Sequence, residues 1–197
     1  MKNSFFATLS RMKYIDRWAL MRNSREESLS EHSLEVAMIA HALCTIGNVR
    51  FGKHLDADRA ALIGLYHDAS EIITGDMPTP VKYCNDEIRT AYKQVEKSAQ
   101  ERLLCRLPDD LRPAYESVFH GEDSEEERYM RRLVKAADKL SAYIKCIEEE
   151  KAGNTEFRTA KQSTAAIIGE LSKELPEVRN FMDEFLEPYG STLDELG

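Results

Sequence analysis

The sequence predicts an all-α protein, a single globular helical bundle. Apolar residues recur at intervals of three and four in several long segments, as they do in amphipathic helices. Ser28 with Glu31, and Ser124 with Glu127, have the spacing of helix-capping pairs. No stretch alternates apolar and polar residues as a strand would. The 197 residues fit one domain, 1–197, in which 155–197 is a C-terminal helical extension.

The helices can be placed in order along the chain. Apolar spacing, capping residues and prolines predict helices over 4–15, 31–45, 56–72, 86–107, 111–119, 132–150, 155–175 and 178–185. Gly47–His54 is predicted as a turn region. A loop with two prolines, 74–80, follows the helix over 56–72 and is placed to line a pocket.

Composition narrows the function classes. The net charge of −8 argues against a nucleic-acid polymer or an anionic membrane as the main partner. The longest apolar runs are shorter than the ~20 residues that cross a bilayer, and the N-terminus lacks a secretory pattern. The four cysteines are scattered without a CxxC pair. We therefore expect reduced cysteines and a cytoplasmic location.

His67 and Asp68 stand side by side within an apolar run. A buried carboxylate is costly unless it is paired or binds a metal. An imidazole nitrogen together with a carboxylate oxygen suits a divalent transition metal. From this pair alone, a metal site, a surface pair and a satisfied polar pair in the core all stay open.

Two residues on other predicted helices could complete a metal site. His32 falls in the first turn of the helix that follows Ser28, and Asp138 lies beside the apolar stripe of a later helix. His41 is nine residues after His32, about half a turn out of phase, and therefore faces the opposite way. A histidine, a His-Asp pair and an aspartate on three helices are thus the candidate ligands.

This pattern resembles the HD-domain metal phosphohydrolases. The segments 16–22, 30–33, 66–71, 74–83 and 136–138 are together similar to the bacterial HD-domain 5'-deoxynucleotidases of the YfbR type. The resemblance runs from Phe5 to about Phe157 and is less distinct beyond it. It implies an all-α HD domain, a homodimer, and hydrolysis of deoxyribonucleoside 5'-monophosphates to deoxynucleoside and phosphate.

The resemblance also implies roles for particular residues. His32, His67, Asp68 and Asp138 would bind one divalent cation, for which cobalt is the family's preferred ion in assays and manganese a plausible cellular one. Asp68 and Asp138 would also contact the substrate.

Further implied roles concern the substrate. Arg17 would orient the phosphate, and Trp18 would pack by the sugar and disfavour a 2'-hydroxyl. Asp76, Met77, Pro78 and Thr79 would contact the substrate, with Asp76 bound near the 3'-hydroxyl or acting as general acid.

Two of these roles have support in the sequence as well. Arg17, Arg22 and Arg25 form a basic cluster, which suits a phosphate although surface arginines are the commoner explanation. Glu71 lies four residues after His67, on the same side of a helix, where a carboxylate could move a proton or support a ligand histidine.

Two other functions stay open. An HD hydrolase could act on a triphosphate, an alarmone or a cyclic nucleotide, although a triphosphate would require more basic side chains than one arginine cluster. A helical module could also keep a metal or bind a nucleotide without catalysis. Losing turnover but not metal on mutation of Arg17 or Glu71 would separate an enzyme from such a module.

Overall fold

The structure is a computed structural model that describes residues 3–82, 84–121 and 123–197, without the side chains of Thr79 and Pro80. The predicted all-α fold is confirmed. The α-helices are α1 (Phe5–Leu9), α2 (Leu29–Phe51), α3 (Ala57–Tyr66), α4 (Glu71–Thr74), α5 (Thr79–Lys82), α6 (Asp86–Leu104), α7 (Arg112–His120), α8 (Glu125–Lys151), α9 (Arg158–Glu174) and α10 (Pro176–Phe185). Short 3-10 helices cover Ser10–Tyr14 and Leu193–Glu195.

Helix α2 is central to the fold and begins where its capping box predicts. The Ser28 hydroxyl accepts a hydrogen bond from the Glu31 amide at 3.3 Å, and the Glu31 carboxylate accepts one from the Ser28 amide at 2.8 Å. The predicted end near Thr45 was wrong, because α2 continues through Gly47 to Phe51. A Cβ on Gly47 would lie 3.0 Å from a Glu177 carboxylate oxygen, so this glycine permits close packing and not a turn.

Helix α3 ends earlier than predicted. The expected helix through Ile72 was wrong, since α3 stops at Tyr66 and residues 67–70 form turns before α4. Nδ1 of His67 lies 2.7 Å from the Gly64 carbonyl oxygen, the acceptor that the amide of residue 68 would use in a continued helix. The histidine side chain thus binds the backbone at the point where the helix stops.

The main core lies where α2, α3 and α8 pack together. Leu43, Leu133 and Leu140 are fully buried there. Gly64 brings the backbones of α2 and α3 into contact, because a Cβ on it would lie 2.9 Å from the Cα of Ala37. Helices α9 and α10 add Ile168, Val178 and Phe181 to the same core, together with Leu175 between them.

Helix α2 also has the length and mean hydropathy (1.2) that a membrane span requires. Among the described residues it alone meets that test. Its residues Val36, Ala40 and Leu43 are fully buried in the core. The apolar character of α2 therefore serves its packing against α3 and α8.

A two-stranded antiparallel ribbon joins the N-terminal segment to the start of α2. Strand β1 (Asp16–Arg17) pairs with strand β2 (Glu27–Ser28), with Arg17 opposite Glu27. The Leu29 amide donates to the Ile15 carbonyl at 2.8 Å, which extends the contact by one residue. The ribbon holds Arg17 beside the first turn of α2, where His32 lies.

Candidate active site

The structure brings together the four side chains that the sequence nominates as metal ligands. Nε2 of His32 lies 3.3 Å from Oδ1 of Asp138 and 3.7 Å from Oδ2 of Asp68. Nε2 of His67 lies 3.0 Å from the same oxygen of Asp68. Candidate ligand atoms of His32, His67 and Asp68 all lie within 4.8 Å of one another. The residues come from α2, the turn after α3, and α8.

The histidine nitrogens that face each other fit a metal ion. Nε2 of His32 and Nε2 of His67 are both buried, and neither has a hydrogen-bond partner among the described residues. The opposite nitrogens are occupied, since Nδ1 of His67 is bonded to the Gly64 carbonyl and Nδ1 of His32 lies 2.9 Å from the Ser141 hydroxyl. Two unpartnered imidazole nitrogens beside two carboxylates form a donor set suited to a divalent transition metal.

Electrostatics keeps the carboxylates of this cluster ionised. Burial opposes the charge of Asp68, but its contact with His67 lowers the pKa of Asp68 to about 2. Burial likewise opposes the charge of Asp138, whose pKa is nevertheless lowered by its contact with His32 and by the nearby Lys139. Burial and the charge of Arg17 lower the pKa of His32, which favours its neutral form. Burial opposes the charge of His67 as well, but Asp68 raises the pKa of His67 to about 9, so a cation binding there would displace a proton from His67. Ionised carboxylates and neutral imidazoles are the forms that bind metal.

Glu71 is buried beside the candidate ligands, and its pKa is far above its usual value. It is only 5% exposed, and its Oε2 has no hydrogen-bond partner among the described residues. Burial raises the pKa of Glu71 to about 9, with further contributions from Asp68 and Asp76. Glu71 therefore holds a proton at neutral pH when no cation is nearby. Such a group can exchange a proton with a substrate.

Arg17 is the arginine of the predicted basic cluster that reaches the site. Its Nη1 lies 3.1 and 3.2 Å from the two Glu27 carboxylate oxygens and 2.8 Å from Nδ1 of His32. The expectation that Arg22 and Arg25 would lie with Arg17 around a phosphate was wrong. Arg22 pairs with Glu156 at 2.7 Å in an exposed position.

Arg25 also stays away from the site, because it pairs with Glu31 at 2.6 Å on the surface. Neither exposed arginine therefore joins Arg17 beside the candidate metal ligands.

Trp18 adopts a left-handed backbone conformation with φ of +57°. Its indole nitrogen donates to Glu27 at 3.1 Å, and its ring contacts Phe157 at a centroid distance of 5.4 Å. The same carboxylate thus holds both Arg17 and Trp18. These two contacts hold the indole ring in one orientation beside Arg17 and Glu27.

The loop after α4 brings Asp76 close to the cluster. Its charge contributes to the pKa shifts of both Arg17 and Glu71. Asp76, Met77 and Pro78 are partly buried. The predicted loop ends sooner than expected, because Thr79 begins the short helix α5. The side chain of Thr79 is outside the described residues.

His41, which the sequence directs away from His32, and His120 both lie outside the site. His41 contacts Asp58 at 3.6 Å on the surface of α2. His120 pairs with Glu101 at 3.0 Å. Each of these histidines therefore contacts a carboxylate away from the candidate ligands, as expected for His41.

Sequence reasoning missed three residues next to the candidate ligands. Glu27 is buried and binds Arg17 and Trp18. Ser141 lies between His32 and Glu35, at 2.9 Å and 2.5 Å from them. A signal for two of them was present, since Glu35 is three residues after His32 and Ser141 is three residues after Asp138.

A cavity of about 240 Å³ opens beside the cluster. Its walls include the candidate ligands His67 and Asp138, together with Tyr66, Gln100 and Lys135. Both aromatic and polar groups therefore line the space beside the candidate ligands.

The fold and this set of histidines and aspartates from α2, the turn after α3, and α8 define the HD-domain phosphohydrolase class. The model of the YfbR-like 5'-deoxynucleotidase family matches residues 4–189. The chain belongs to that family. A 5'-deoxynucleotidase from Shewanella oneidensis is 49% identical over 191 residues, which cover 97% of this chain and 96% of that protein. The 5'-deoxynucleotidase YfbR of Escherichia coli is 48% identical over 199 residues, 100% of this chain and 97% of that protein.

Solved structures support the same class. An HD-domain phosphohydrolase from Listeria innocua superposes with a TM-score of 0.80 at 26% identity, covering 96% of this chain and 90% of that one. A cyanophage S-2L HD phosphohydrolase, solved with dA and one catalytic Zn²⁺ ion, superposes with a TM-score of 0.62 at 17% identity, covering 95% and 96%. The second likeness shows the fold alone.

Proposed function

We propose that the protein is a metal-dependent 5'-deoxynucleotidase, a phosphoric monoester hydrolase that converts deoxyribonucleoside 5'-monophosphates to deoxynucleoside and phosphate. The observation that carries this proposal is the pair of buried, unpartnered Nε2 atoms of His32 and His67 between two carboxylates. Membership of the YfbR-like family supplies the substrate class, since the relatives carry the name 5'-deoxynucleotidase.

His32, His67, Asp68 and Asp138 would hold one divalent cation. A cation there would polarise a phosphoryl oxygen and lower the pKa of a water. Cobalt and manganese are proposed from the family resemblance, and zinc is the ion named with the cyanophage neighbour. The mixed nitrogen and oxygen donors suit all three ions.

The protein's own side chains would then move the charges and protons. Arg17 binds the phosphate and neutralises its developing charge. The water oxygen forms a bond to phosphorus in line with the leaving oxygen, and Asp68 accepts the water proton. The bond between phosphorus and O5' breaks, and Glu71 delivers its proton to O5'. Asp76 is the second candidate for that donor.

Selectivity for deoxyribose is proposed to come from the residues that contact the sugar. Trp18 packs by the sugar, where its fixed ring leaves no room for a 2'-hydroxyl. Asp76 accepts a hydrogen bond from the 3'-hydroxyl, while Met77, Pro78 and Thr79 contact the substrate. The Trp18 ring is held by Glu27 and Phe157, which supports a rigid boundary at this position.

Phosphate release by metal-stripped protein tests the function, with cobalt, manganese, zinc or magnesium restored. We expect metal-dependent release from dAMP and much slower release from AMP. Equal rates on the two would refute sugar selectivity. Turnover of dATP alone would favour another nucleotide, and no turnover of dAMP, dATP or a simple phosphate ester would favour a non-catalytic module.

Arg17 and Arg22 provide a matched pair for the phosphate role. Arg17 lies in the site, whereas Arg22 pairs with Glu156 on the surface. We expect Arg17→Met to lower kcat/KM on dAMP by about 10²-fold or more, as losing a charge-stabilising donor does. Arg22→Met should stay near the wild-type value. Equal effects of the two substitutions would contradict the assignment.

We also infer a cytoplasmic homodimer that engages neither a membrane nor a nucleic-acid polymer. The family resemblance supports the dimer. On α2 the side chains of Leu34, Met38 and Val49 are 54%, 58% and 77% exposed, a face that a second copy could cover. Sedimentation of wild type and Met38→Glu tests this, with a dimer expected only for wild type. A monomeric wild type would refute it.

A further inference from the structure

Two residues outside the candidate ligand set form a chain behind His32. The His32 ring and Ser141 are fully buried. Nδ1 of His32 lies 2.9 Å from the Ser141 hydroxyl oxygen. That hydroxyl donates to Oε2 of Glu35 at 2.5 Å. The chain Glu35–Ser141–His32 thus runs from a partly buried carboxylate to the nitrogen opposite the metal-facing Nε2.

The hydrogens of this chain can be assigned. A neutral imidazole carries one hydrogen, and a ligand Nε2 has to be bare, so Nδ1 must carry it. The single hydroxyl hydrogen of Ser141 is directed at Glu35, which as a carboxylate can only accept. The Ser141 oxygen is therefore left to accept from Nδ1 of His32.

Arg17 competes for the same nitrogen. Its Nη1 lies 2.8 Å from Nδ1 of His32 and can only donate, which requires a bare Nδ1. Oε1 of Glu27 is 3.7 Å from Nδ1, beyond hydrogen-bond distance. Ser141 is thus the acceptor within reach among the described residues, and it favours the opposite tautomer from Arg17.

We propose that Ser141 and Glu35 are positioning residues that keep the His32 hydrogen on Nδ1 and so present a bare Nε2 to the cation. The proposal rests on the metal site of the proposed function. The two helices each supply one ligand and one supporting residue a turn later. Glu35 follows His32 on α2, and Ser141 follows Asp138 on α8. Such supporting hydrogen bonds commonly change metal affinity 10–100-fold.

Zinc affinity tests the proposal without relying on turnover. Metal-free protein would compete with a chromophoric chelator for Zn²⁺. We expect Ser141→Ala and Glu35→Ala to weaken zinc binding by roughly 10–100-fold. Glu35→Gln should retain most of the affinity, because its amide oxygen still accepts from Ser141. Ser172→Ala, a buried serine that bonds the Gly169 carbonyl, is the control and should bind zinc as wild type does.

Two results would overturn the proposal. Wild-type affinity in both Ser141→Ala and Glu35→Ala would show that the chain does not position His32. A loss in Glu35→Gln as large as in Glu35→Ala would assign the effect to charge and not to the hydrogen bond. If Glu35→Ala does not fold by circular dichroism, wild-type affinity in Ser141→Ala, or a loss in Glu35→Gln as large as in Ser141→Ala, overturns the proposal instead.

The tautomer itself supplies a second readout. Long-range ¹H–¹⁵N spectra distinguish hydrogen on Nδ1 from hydrogen on Nε2. In metal-free Ser141→Ala, Arg17 is the remaining neighbour of Nδ1, so the Nε2–H form of His32 should increase relative to wild type. An unchanged tautomer population would refute the proposal. Wild-type protein that binds zinc but hydrolyses no nucleotide would refute the proposed function and leave these comparisons informative.

Discussion

Glu71 is the residue whose chemistry differs most from its surface counterparts. Its burial keeps a proton next to the candidate metal ligands. We expect Glu71→Gln to lower kcat on dAMP by about 10²–10⁴-fold, the usual contribution of general acid–base catalysis, while zinc still binds. Steady-state kinetics and chelator competition measure the two quantities. Glu170→Gln, which removes an exposed carboxylate paired with Lys173, should leave both unchanged. A wild-type kcat in Glu71→Gln would remove Glu71 from the mechanism.

The same proton makes metal-free stability depend on pH. Burial, with the charges of Asp68 and Asp76, raises the pKa of Glu71 from 4.5 to about 9. Between these values the folded state binds a proton that the unfolded chain has lost, so stability falls as the pH rises. Glu71→Gln removes this dependence. We would measure Tm in the presence of chelator from about pH 6 to about pH 8.5. The Tm of Glu71→Gln relative to that of wild type should rise as the pH increases. A constant difference would argue against a protonated Glu71.

At the residue scale, the sequence could nominate ligands but not their surroundings. His67 and Asp68 stood out because a charged pair in an apolar run needs a partner. Ser141 and Glu27 did not stand out, since a serine in a helix and a glutamate in a loop are common. Their importance depends on the crossing of α2 with α8 and on the β1–β2 pairing, which are contacts between distant parts of the chain.

At the scale of elements, capping residues were predicted better than helix bounds. Ser28 and Ser124 cap α2 and α8 as expected, because a cap is a local interaction. The predicted start of the second of these helices at 132 was wrong, since α8 begins at Glu125. The end of α3 depends on a side chain, His67, that bonds the Gly64 carbonyl. The continuation of α2 through Gly47 depends on packing against Glu177. Tertiary contacts of this kind cannot be read from local propensity.

The close contact of α2 with α3 predicts that a larger residue at Gly64 destabilises the protein. A Cβ on Gly64 would meet the Ala37 backbone at 2.9 Å, and neither main chain can give way cheaply. We expect Gly64→Ala to lower the free energy of unfolding by about 1–3 kcal/mol, as overpacking does, and to weaken zinc binding through His67. Urea unfolding and chelator competition measure these effects.

Gly169 is the matched control for that substitution. It lies inside α9, and no atom comes within 4 Å of an added Cβ. Gly169→Ala should therefore stabilise the protein by up to about 1 kcal/mol, the difference in helix propensity. Equal behaviour of the two alanine variants would show that α2 and α3 do not meet as closely as described.

At the scale of the whole molecule, a bound cation would join α2, the turn after α3, and α8. Binding to the folded state alone stabilises it by about 2.7 kcal/mol at a concentration of 100 times Kd. We therefore expect zinc to raise Tm by about 5–10 °C at that concentration, measured by calorimetry against protein in chelator. Asp68→Asn should lose this rise, whereas Asp58→Asn, on the surface of α3, should keep it. No rise in wild type would contradict the metal site.

The C-terminal helices pack onto the same core as the helices that precede them. Ile168, Val178 and Phe181 of α9 and α10, together with Leu175 between them, belong to the same core as α2 and α8. We therefore propose that 155–197 is an extension of one domain, as the sequence suggested. A single cooperative unfolding transition, the same by fluorescence and circular dichroism, is its expected signature.

The glycine contact between α2 and α3 has a consequence for how the protein can diverge. Helix α2, which carries His32, and helix α3, which directly precedes His67, meet through their main chains at Ala37 and Gly64. The separation of the two imidazoles is then set by backbone geometry and depends little on which apolar side chains fill the neighbouring core. Substitutions in that core can accumulate without moving the ligands. Such tolerance would explain why the Listeria innocua phosphohydrolase keeps the same fold, with a TM-score of 0.80, at a sequence identity of 26%.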